Sequence, residues 1–460
     1  MANTYDVAVI GSGPGGYVAA IRASQLGLKV AIVERESLGG VCLNWGCIPT
    51  KALLKNATVL QTIRKADFFG IAVEGVKADY GKAVERSQGV VAKQTAGIGY
   101  LMKKNKIDVL KGQGTVLGPG AFAVDSVRHE AKHVIVATGA TPRVPEGLVA
   151  DGKTVFTARE GVAMSDLPER MLILGGGAIG CEFAYVFASY GCKVTLIEAA
   201  DHLLPREEPE IAAVLEKAYT KLGIEVLAKH RVTKATQSAS GVSLEVEAPD
   251  GTKRTLEAPR LLVGIGASPN VQGLGLEHAG VRLERGAIST DGVGRTNVPG
   301  IWAIGDVTGK AMLAHVASAM AVACVETIAD HETEPVNFDR IPSCTYCEPQ
   351  VASIGLTEAE ARKRGHEVKI GTFPFAPNGK AQAMGTTEGL VKVVVEAKHG
   401  EILGAHMVGP EVTELIAEIG LGMNLETTAL EVDRTIHAHP TLSEVVKEAA
   451  LAAIGHPIHL

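Results

Sequence analysis

The sequence lacks the features that mark several broad classes of protein. It has no excess of positive charge, since 45 lysines and arginines face 51 aspartates and glutamates for a net charge of −6. Nucleic acids are bound by basic surfaces, so this balance argues against a nucleic-acid partner. The longest uncharged apolar stretch, residues 312–325, is too short to span a bilayer. No signal or transit peptide precedes the first apolar run. We therefore expect no membrane partner, and a cytoplasmic protein or one in an organelle matrix after removal of a presequence.

The seven cysteines do not form the pattern of a secreted protein. An odd count in a long chain argues against a structural disulfide scaffold, so we expect any disulfide here to be catalytic. Cys344 and Cys347 form a Cys-x-x-Cys motif, but there is no second such motif or matching histidine pair for zinc. We therefore expect no metal site and interpret both as buried thiols. Three more cysteines fall on helix or strand patterns and are predicted to lie in the core: Cys181, Cys192 and Cys324.

Glycine, in contrast, is abundant, with 53 residues and no collagen-like period. Many glycines belong to a unit of strand, glycine turn, helix and strand that occurs twice. The first unit comprises residues 5–10, 11–16, 17–26 and 29–34, and the second comprises residues 171–174, 175–180, 181–190 and 193–198. In each unit an acid, Glu34 or Glu198, follows the third glycine of the motif by 18 positions. This is an internal repeat of a whole supersecondary unit.

The repeat extends beyond the glycine turns. A further strand closes each unit, over residues 133–136 and 261–263, and both strands lead into a Gly-Ala-x-Pro sequence. After about residue 341 the pattern changes to alternating strands followed by two helical stretches. We therefore predict an α/β protein with two Rossmann-like dinucleotide-binding domains and a C-terminal α+β domain.

The glycine turns predict two dinucleotide sites. The motif Gly-x-Gly-x-x-Gly is weak by itself, but each copy follows a strand, opens a helix and precedes an acid at a suitable distance. Glycines let the backbone approach a pyrophosphate, and the helix N-terminus offers free N–H groups. Two doubly wound domains without a ligand are the alternative, which the duplicated context disfavours. The motif glycines are Gly11, Gly13 and Gly16 in the first unit and Gly175, Gly177 and Gly180 in the second.

The two acids predict which nucleotides bind. Glu34 and Glu198 end strands, where a carboxylate can accept hydrogen bonds from an adenosine ribose. A carboxylate at Glu198 also repels a 2′-phosphate, and the next arginine in the sequence is Arg206. The second site is therefore predicted to prefer NAD(H) to NADP(H), unless an arginine folds in from elsewhere.

A pair of cysteines follows the first unit. Cys42 and Cys47 are separated by four residues in a glycine-containing segment, and Pro49 is predicted to begin a helix that runs through Leu54. A thiol near a helix N-terminus has a stabilised thiolate and is a better redox group. Two buried, inert thiols are the alternative, but they are a poor account of a pair at the mouth of a cofactor site.

This cysteine segment resembles the active-site stretch of the class I pyridine nucleotide–disulfide oxidoreductases. The pattern Cys-x-Asn-x-Gly-Cys-x-Pro-x-Lys, which ends at Lys51, is highly specific, and the resemblance covers essentially the whole chain. It implies a homodimer with one non-covalent FAD per subunit and with NAD⁺/NADH as substrate. The domains it implies are an FAD-binding domain in two parts, residues 1–145 and 271–340, an NAD-binding domain, residues 146–270, and a dimerisation domain, residues 341–460.

The resemblance also implies roles for individual residues. Cys47 would be the thiolate that faces the flavin, and Cys42 the thiol that exchanges with substrate. Lys51 would lie beside the flavin ring, Asp306 would hold the ribityl or pyrophosphate region of FAD, and Glu182 would lie near the nicotinamide. Further cofactor contacts are implied, besides the motif glycines and Glu34 and Glu198, at Gly114, Thr138, Gly139, Val232, Gly266, Met312, Leu313, Ala314 and His315. One departure is Val316, where members of the family often carry lysine.

The C-terminal region supplies a candidate base. Exchange between a dithiol and a disulfide needs a group that takes the thiol proton, and imidazole suits this near neutral pH. His439 precedes Pro440, and Glu444 follows one turn along the next predicted helix, where a carboxylate can orient the ring. The two resemble the family's His–Glu dyad, which reaches across the dimer to the partner's cysteines. We interpret His437 as an ordinary surface or core histidine.

Within the family, the chain is most similar to the dihydrolipoyl dehydrogenases. The similarity lies in residues 50–54, in the pair His437 and His439, and in Glu198, whereas the arginines of glutathione reductases and the C-terminal cysteine pair of mercuric reductases are missing. It implies oxidation of protein-bound dihydrolipoyl groups with reduction of NAD⁺. It also implies as partners a lipoyl domain and the E2 acyltransferase of a 2-oxoacid dehydrogenase complex, or the lipoyl carrier of glycine cleavage.

Two other functions remain open at this point. One is a disulfide or metal-ion reductase that runs from NADH toward its substrate. The other is a non-catalytic flavoprotein that serves as a binding subunit, against which the retained cysteines and the His–Glu dyad argue. No lipoyl domain precedes Tyr5, so we expect the substrate to arrive on another protein or as a free molecule.

Overall fold

Two parallel sheets carry the two repeated units in the computed structural model, which describes residues 3–459. Residues 3–145 form strands β1 (Thr4–Ile10), β2 (Val30–Glu34), β3 (Asp108–Lys111), β4 (Gly114–Gly118), β5 (Ala121–Val124), β6 (Val127–Val136) and β7 (Ala140–Pro142), with helices α1 (Pro14–Gln25), α2 (Gly40–Asn44), α3 (Cys47–Arg64) and α4 (Tyr80–Lys104). Residues 146–270 form β8 (Val155–Phe156), β9 (Arg170–Leu174), β10 (Lys193–Ile197), β11 (Glu225–Leu227), β12 (Arg231–Ser238), β13 (Gly241–Glu247), β14 (Lys253–Ala258), β15 (Arg260–Val263) and β16 (Ala267–Pro269), with α5 (Ala158–Gly161), α6 (Ala178–Ser189) and α7 (Pro209–Leu222).

The remaining elements return to the first sheet and then build a third one. Residues 271–340 form β17 (Leu283–Glu284), β18 (Ala287–Ile288), β19 (Ile301–Ala303) and α8 (Ala314–Ile328). Residues 341–459 form β20 (Ser343–Thr345), β21 (Gln350–Gly355), β22 (Val368–Pro374), β23 (Leu390–Glu396) and β24 (Ile402–Gly409), with α9 (Glu358–Lys363), α10 (Gly379–Met384), α11 (Val412–Asn424), α12 (Ala429–Arg434) and α13 (Glu444–Ala453).

The first sheet has the order β3-β2-β1-β6-β5-β4, and β19 pairs with β6. Strands β3, β2, β1, β6 and β19 are parallel, while β4 and β5 join β6 as an antiparallel edge. The centre is apolar on both faces, since Val7, Ala8 and Val9 of β1 are fully buried, as expected for a parallel sheet covered by helices. The strand β19 comes from the return segment, so this sheet is completed by residues far apart in the chain.

The second sheet has the order β11-β10-β9-β15-β8, and all its strand pairs are parallel. A three-stranded antiparallel sheet, β12-β13-β14, lies between β11 and β15 in the chain. In both parallel sheets the strand order reverses beside the first strand of the unit, β1 or β9. Ligands of open α/β sheets bind at the carboxyl ends of strands at such a reversal, and both glycine turns begin there.

The third sheet, β20-β21-β24-β23-β22, is antiparallel. Helices α11 and α13 pack on it through a buried core that includes Val393, Met407, Ile416 and Val446. The predicted fold class is thus confirmed, with two parallel α/β units and an α+β region. The domain boundaries stay predictions.

No helix within residues 3–459 is long and apolar enough to cross a membrane. The predicted cytoplasmic or matrix location stays a prediction.

Candidate active site

The first glycine turn is shaped by close backbone contacts. Gly11 has φ +103°, and a Cβ there would lie 2.4 Å from the carbonyl oxygen of Ala137. A Cβ on Gly16 would lie 1.8 Å from the carbonyl oxygen of Gly11, so only glycine fits the turn at either position. Gly13 begins α1 without a side-chain cap and has open space beside it. The free N–H groups of this helix end therefore point into a space that fits an anionic group.

Glu34, the last residue of β2, is hydrogen-bonded to this turn. Its carboxylate accepts hydrogen bonds from the Ser12 N–H at 3.1 Å, the Ser12 hydroxyl at 2.5 Å and the Glu36 N–H at 2.7 Å. The acid that the sequence assigns to a ribose therefore also stabilises the shape of the turn.

The second turn repeats this geometry. Gly175 has φ +104°, and a Cβ on Gly180 would lie 1.8 Å from the carbonyl oxygen of Gly175. Gly177 begins α6 without a side-chain cap. Glu198 accepts hydrogen bonds from the N–H groups of Gly176 at 2.6 Å and Ala200 at 2.7 Å. The two sites are therefore built alike, in agreement with the repeat in the sequence.

Asp306 lies half-buried in the short turn after β19. Burial raises the pKa of its carboxyl to about 6. In the part of the chain that the structure describes, no group donates a hydrogen bond to its carboxylate. A buried carboxylate is costly unless a donor reaches it, so this side chain is suited to the hydroxyls of a ligand.

The segments that follow β6 and β15 lie close to the two glycine turns. A Cβ on Gly11 would lie 3.2 Å from the Cα of Thr138, and a Cβ on Gly175 would lie 3.2 Å from the N of Ile265, next to Gly266. The Thr138 hydroxyl donates to the carbonyl oxygen of Asn270 at 2.8 Å. Thr138, Gly139 and Gly266 are thus placed beside the turns for which the sequence proposed them.

The other proposed cofactor contacts lie on several elements. Gly114 is buried in β4, where a Cβ would clash with Ile10 at 2.5 Å, and Val232 lies on β12 of the small antiparallel sheet. Met312, Leu313, Ala314 and His315 lead into α8, and the His315 ring contacts the carbonyl oxygen of Pro342 at 2.9 Å. Val316, the departure from the family pattern, is buried in the core of the first unit. None of these positions has a described contact that assigns it to a nucleotide, so their roles stay predictions.

The candidate redox pair lies at the start of α3. Cys47 is the first residue of this helix and follows Gly46, whereas the sequence placed the helix start at Pro49. Proline tolerates any position in the first helical turn, so Pro49 does not mark the boundary. Cys42 lies in the short helix α2, whose end is held by Asn44 side-chain bonds to the carbonyl oxygens of Leu38 and Gly40, both 2.9 Å.

The two thiols are electrostatically distinct. A hydrogen bond from Cys42 and the positive charge of Lys51 lower the pKa of Cys47 against the effect of burial. The same hydrogen bond and burial raise the pKa of Cys42. The arrangement therefore favours a thiolate at Cys47 and a thiol at Cys42, which is the division of roles that the sequence implied.

Lys51 connects the pair to the second unit. Its Nζ lies 2.9 Å from both carboxylate oxygens of Glu182, and it lies 4.5 Å from the centre of the Tyr346 ring. The Tyr346 N–H donates to Glu182 at 3.0 Å. Glu182 is only 3% exposed, so its charge is neutralised inside the protein. The first unit, the second unit and the C-terminal region thus meet one helical turn from Cys47.

The His439–Glu444 dyad forms as predicted. His439 Nδ1 lies 2.9 Å from Glu444, which also accepts the Thr441 N–H at 2.8 Å. Burial raises the pKa of Glu444, but the bonds from Thr441 and His439 outweigh it and lower the pKa. The His439 side chain is 77% exposed, with Nε2 free of hydrogen bonds to described residues. Among residues 3–459, no hydrogen bond joins His439 to either redox cysteine.

The other cysteines are mostly buried, as predicted. Cys181, Cys192, Cys324 and Cys347 are buried, and burial is the main cause that raises the pKa of each thiol. The prediction for Cys344 is wrong, because this residue is only partly buried on the edge strand β20. An edge strand has a neighbouring strand on one side only, and the short motif does not reveal the sheet edge.

Three features of the site were not predicted from the sequence. They are the Ser12 hydroxyl bond to Glu34, the contacts of Tyr346, and a buried bond between His437 and Glu418. Serine inside a glycine motif was a local signal for the first. The other two join residues on different elements and have no signal in the spacing.

Known proteins match the chain over nearly its whole length. Residues 5–321 match the family described as pyridine nucleotide-disulphide oxidoreductase, and residues 341–450 match its dimerisation domain. The dihydrolipoyl dehydrogenase of Rhizobium etli is 48% identical and that of Bacillus subtilis is 46% identical, each over 100% of both chains.

Solved structures agree with this result. LpdA from Mycobacterium tuberculosis superposes with a TM-score of 0.89 at 28% identity, over 98% of this chain and 99% of that one. The HOCl-induced flavoprotein disulfide reductase RclA from Escherichia coli gives 0.85 at 26% identity, over 97% and 99%. The paired thiols at the start of α3, the two glycine turns and these matches lead to one conclusion: the chain belongs to the pyridine nucleotide-disulphide oxidoreductase family.

Proposed function

We propose that this protein is a dihydrolipoyl dehydrogenase, which oxidises dihydrolipoyl groups and reduces NAD⁺ to NADH through FAD and the Cys42–Cys47 pair. The observation that carries the proposal is the asymmetric thiol pair at the N-terminus of α3, one helical turn from Lys51 and its partner Glu182. The relatives of 45–48% identity over the full length carry that name.

The first unit fits FAD. The uncapped N-terminus of α1 and the tight turn at Gly11 and Gly16 suit a pyrophosphate. Glu34 at the end of β2 and the half-buried Asp306 suit ribose and ribityl hydroxyls. When bound, FAD supplies the two-electron carrier between the dithiol and the pyridine nucleotide.

The second unit fits NAD(H). Gly177 opens α6 without a side-chain cap, so its N–H groups suit a second pyrophosphate. Glu198 is held by two backbone N–H groups at the strand end, where its negative charge disfavours the extra phosphate of NADP. Glu182, on the same helix, bonds Lys51 of α3 at 2.9 Å.

The thiol chemistry follows from the roles of the two cysteines. A substrate thiol gives its proton to Nε2 of a His439, and the resulting thiolate attacks the Cys42 sulfur of the Cys42–Cys47 disulfide. The disulfide breaks, and Cys47 leaves as a thiolate stabilised by Lys51. The second substrate thiol then attacks the substrate–Cys42 disulfide and displaces Cys42, and its proton passes to the departing Cys42 sulfur, so that the substrate leaves as the cyclic disulfide, Cys42 is a thiol and Cys47 a thiolate. Glu444 holds the tautomer that leaves Nε2 free and stabilises the protonated ring.

The protein is a homodimer, as its dimerisation domain indicates. We propose that His439 of one subunit serves the cysteine pair of the other, because this exposed base makes no hydrogen bond to the cysteines among the described residues of its own chain. A monomer would then be inactive. The proposed partners are a lipoyl domain and the E2 acyltransferase of a 2-oxoacid dehydrogenase complex, or the lipoyl carrier of glycine cleavage.

A rate comparison on the purified flavoprotein tests the proposal. Dihydrolipoamide with NAD⁺ should give rapid formation of NADH, and glutathione disulfide with NADH or NADPH should react slowly or not at all. If dihydrolipoamide is inert and another disulfide is reduced, the substrate assignment is wrong, and the protein is a reductase of the same family.

A further inference from the structure

His437, two residues before the candidate base, is almost fully enclosed by the protein. Its side chain is 5% exposed, whereas that of His439 is 77% exposed. Its Nε2 lies 2.7 Å from Glu418 Oε1, and its Nδ1 lies 3.0 Å from the carbonyl oxygen of Thr435. His437 is therefore fixed by contacts within the protein, whereas His439 is accessible from outside its own chain.

Both neighbours of the His437 ring are acceptors. A backbone carbonyl only accepts hydrogen bonds, and so does an ionised carboxylate. Each ring nitrogen therefore has one partner, the Glu418 carboxylate of α11 on one side and the backbone of its own loop on the other.

The contact fixes the loop that carries His439. The loop runs from Thr435 to Ser443, between α12 and α13, and Ile436 within it is 95% exposed. Besides Glu444, at the start of α13, two side chains from outside the loop hold it: Glu418 of α11 holds the His437 ring, and the Asn378 side chain donates to the carbonyl oxygen of Thr441 at 3.0 Å. These two points lie on either side of His439.

We propose that His437 is a positioning residue, whose ring, bonded to Glu418 and to the carbonyl oxygen of Thr435, holds the loop so that Nε2 of His439 points away from its own chain toward the substrate thiol. His437 does not take the substrate proton, because both its nitrogens are already occupied. The inference rests on the proposed role of His439 as the base.

Two substitutions of Glu418 separate position from charge. In Glu418→Gln the amide can donate to Nε2 of a neutral ring, while Nδ1 keeps its bond to Thr435, so both contacts survive without charge. In Glu418→Ala the ring loses its partner and the loop is released. We expect dihydrolipoamide turnover to fall about threefold or less in Glu418→Gln and about tenfold or more in Glu418→Ala, since small misplacement of a reacting group has large kinetic effects. The matched control is Glu414→Ala, an exposed acid one turn earlier on α11, which should leave turnover unchanged.

A second readout distinguishes positioning from damage to the fold. Electron transfer from NADH to ferricyanide needs the flavin but no thiol exchange and no base. We expect this rate, and the KM for NAD⁺, to stay at the wild-type level in all three variants. Full dihydrolipoamide turnover in Glu418→Ala would overturn the proposal. So would an equal loss in Glu418→Gln and Glu418→Ala, or a parallel loss of the ferricyanide reaction.

The His439→Gln variant distinguishes a failure of the proposed base from a failure of the proposed role of His437. If it keeps full turnover, the proposed base is wrong, and if it is inactive while Glu418→Ala is fully active, only the role of His437 is wrong.

Discussion

The two glycine turns share a backbone frame but differ in the residues placed around it. In each turn, the acid at the strand end accepts the N–H of the residue after the first glycine and the N–H two residues beyond itself. The first turn has Ser12 at the position where the second has Gly176. A Cβ on Gly176 would lie 2.6 Å from Leu203, so the second turn has no room for the hydroxyl that Ser12 gives to Glu34.

The larger difference lies beyond the turns. The first unit continues into the cysteine pair and is joined by the half-buried Asp306 of the return segment, whereas the second unit continues into a loop at Ala199 and Ala200. The turn itself therefore supplies a general site for a pyrophosphate. The residues that follow it decide whether the ligand is held permanently beside a redox centre or exchanges as a substrate.

The largest expected effect concerns the chemistry that only the first unit carries. Replacing Cys42 with serine removes the exchanging thiol, so we expect dihydrolipoamide turnover to fall by about a thousandfold or more. The Cys344→Ser variant is the matched control and should stay near the wild-type rate. Near-normal turnover in Cys42→Ser would show that the pair is not the redox centre.

The same substitution in the two turns should remove different ligands. In Gly16→Ala and Gly180→Ala the new Cβ overlaps a carbonyl oxygen that lies 1.8 Å away. We expect Gly16→Ala to lose bound flavin, seen as a low ratio of flavin to protein absorbance. Gly180→Ala should keep its flavin and bind NADH at least about tenfold more weakly, as expected when a backbone must shift at a phosphate site. If both variants lost flavin equally, the second turn would not be a separate nucleotide site.

Asp306 should make the stability of the flavin-free protein depend on pH. Its pKa is raised to about 6 by burial, so the folded chain holds this proton more tightly than the unfolded chain. Stability is therefore lost as the pH rises from near the unfolded pKa through the folded one. Relative to wild type, Asp306→Asn should gain about 2 kcal/mol more stability at about pH 7.5 than at about pH 4, measured by urea unfolding. A difference that does not change with pH would contradict the assignment of this shift to Asp306.

The smallest expected effect concerns the Ser12 hydroxyl, which donates a hydrogen bond to Glu34 in the first turn and has no counterpart in the second. Ser12→Gly removes one hydrogen bond to Glu34 and makes the first turn like the second. We expect flavin affinity to fall by about fivefold, in line with about 1 kcal/mol for one such bond, as measured by flavin release on dilution. Unchanged affinity would mean that the backbone bonds alone hold Glu34.

Local features of the site were predictable because their partners lie close in sequence. The spacing of Gly11, Gly13 and Gly16 determines a turn within six residues, and His439 and Glu444 are five residues apart. In contrast, Lys51 and Glu182 are separated by 131 residues, and no local pattern reports such a contact. Burial at a sheet edge is likewise a property of the assembled sheet, which is why the expectation for Cys344 was wrong.

The meeting of Lys51, Glu182 and the Tyr346 N–H also bears on how the molecule moves and unfolds. If the first two units moved apart, the Lys51–Glu182 ion pair would be broken. The gap between the two nucleotide sites is therefore expected to keep its width, so that NAD⁺ enters a preformed opening without hinge closure. For the same reason, heat should melt the three regions in one cooperative transition.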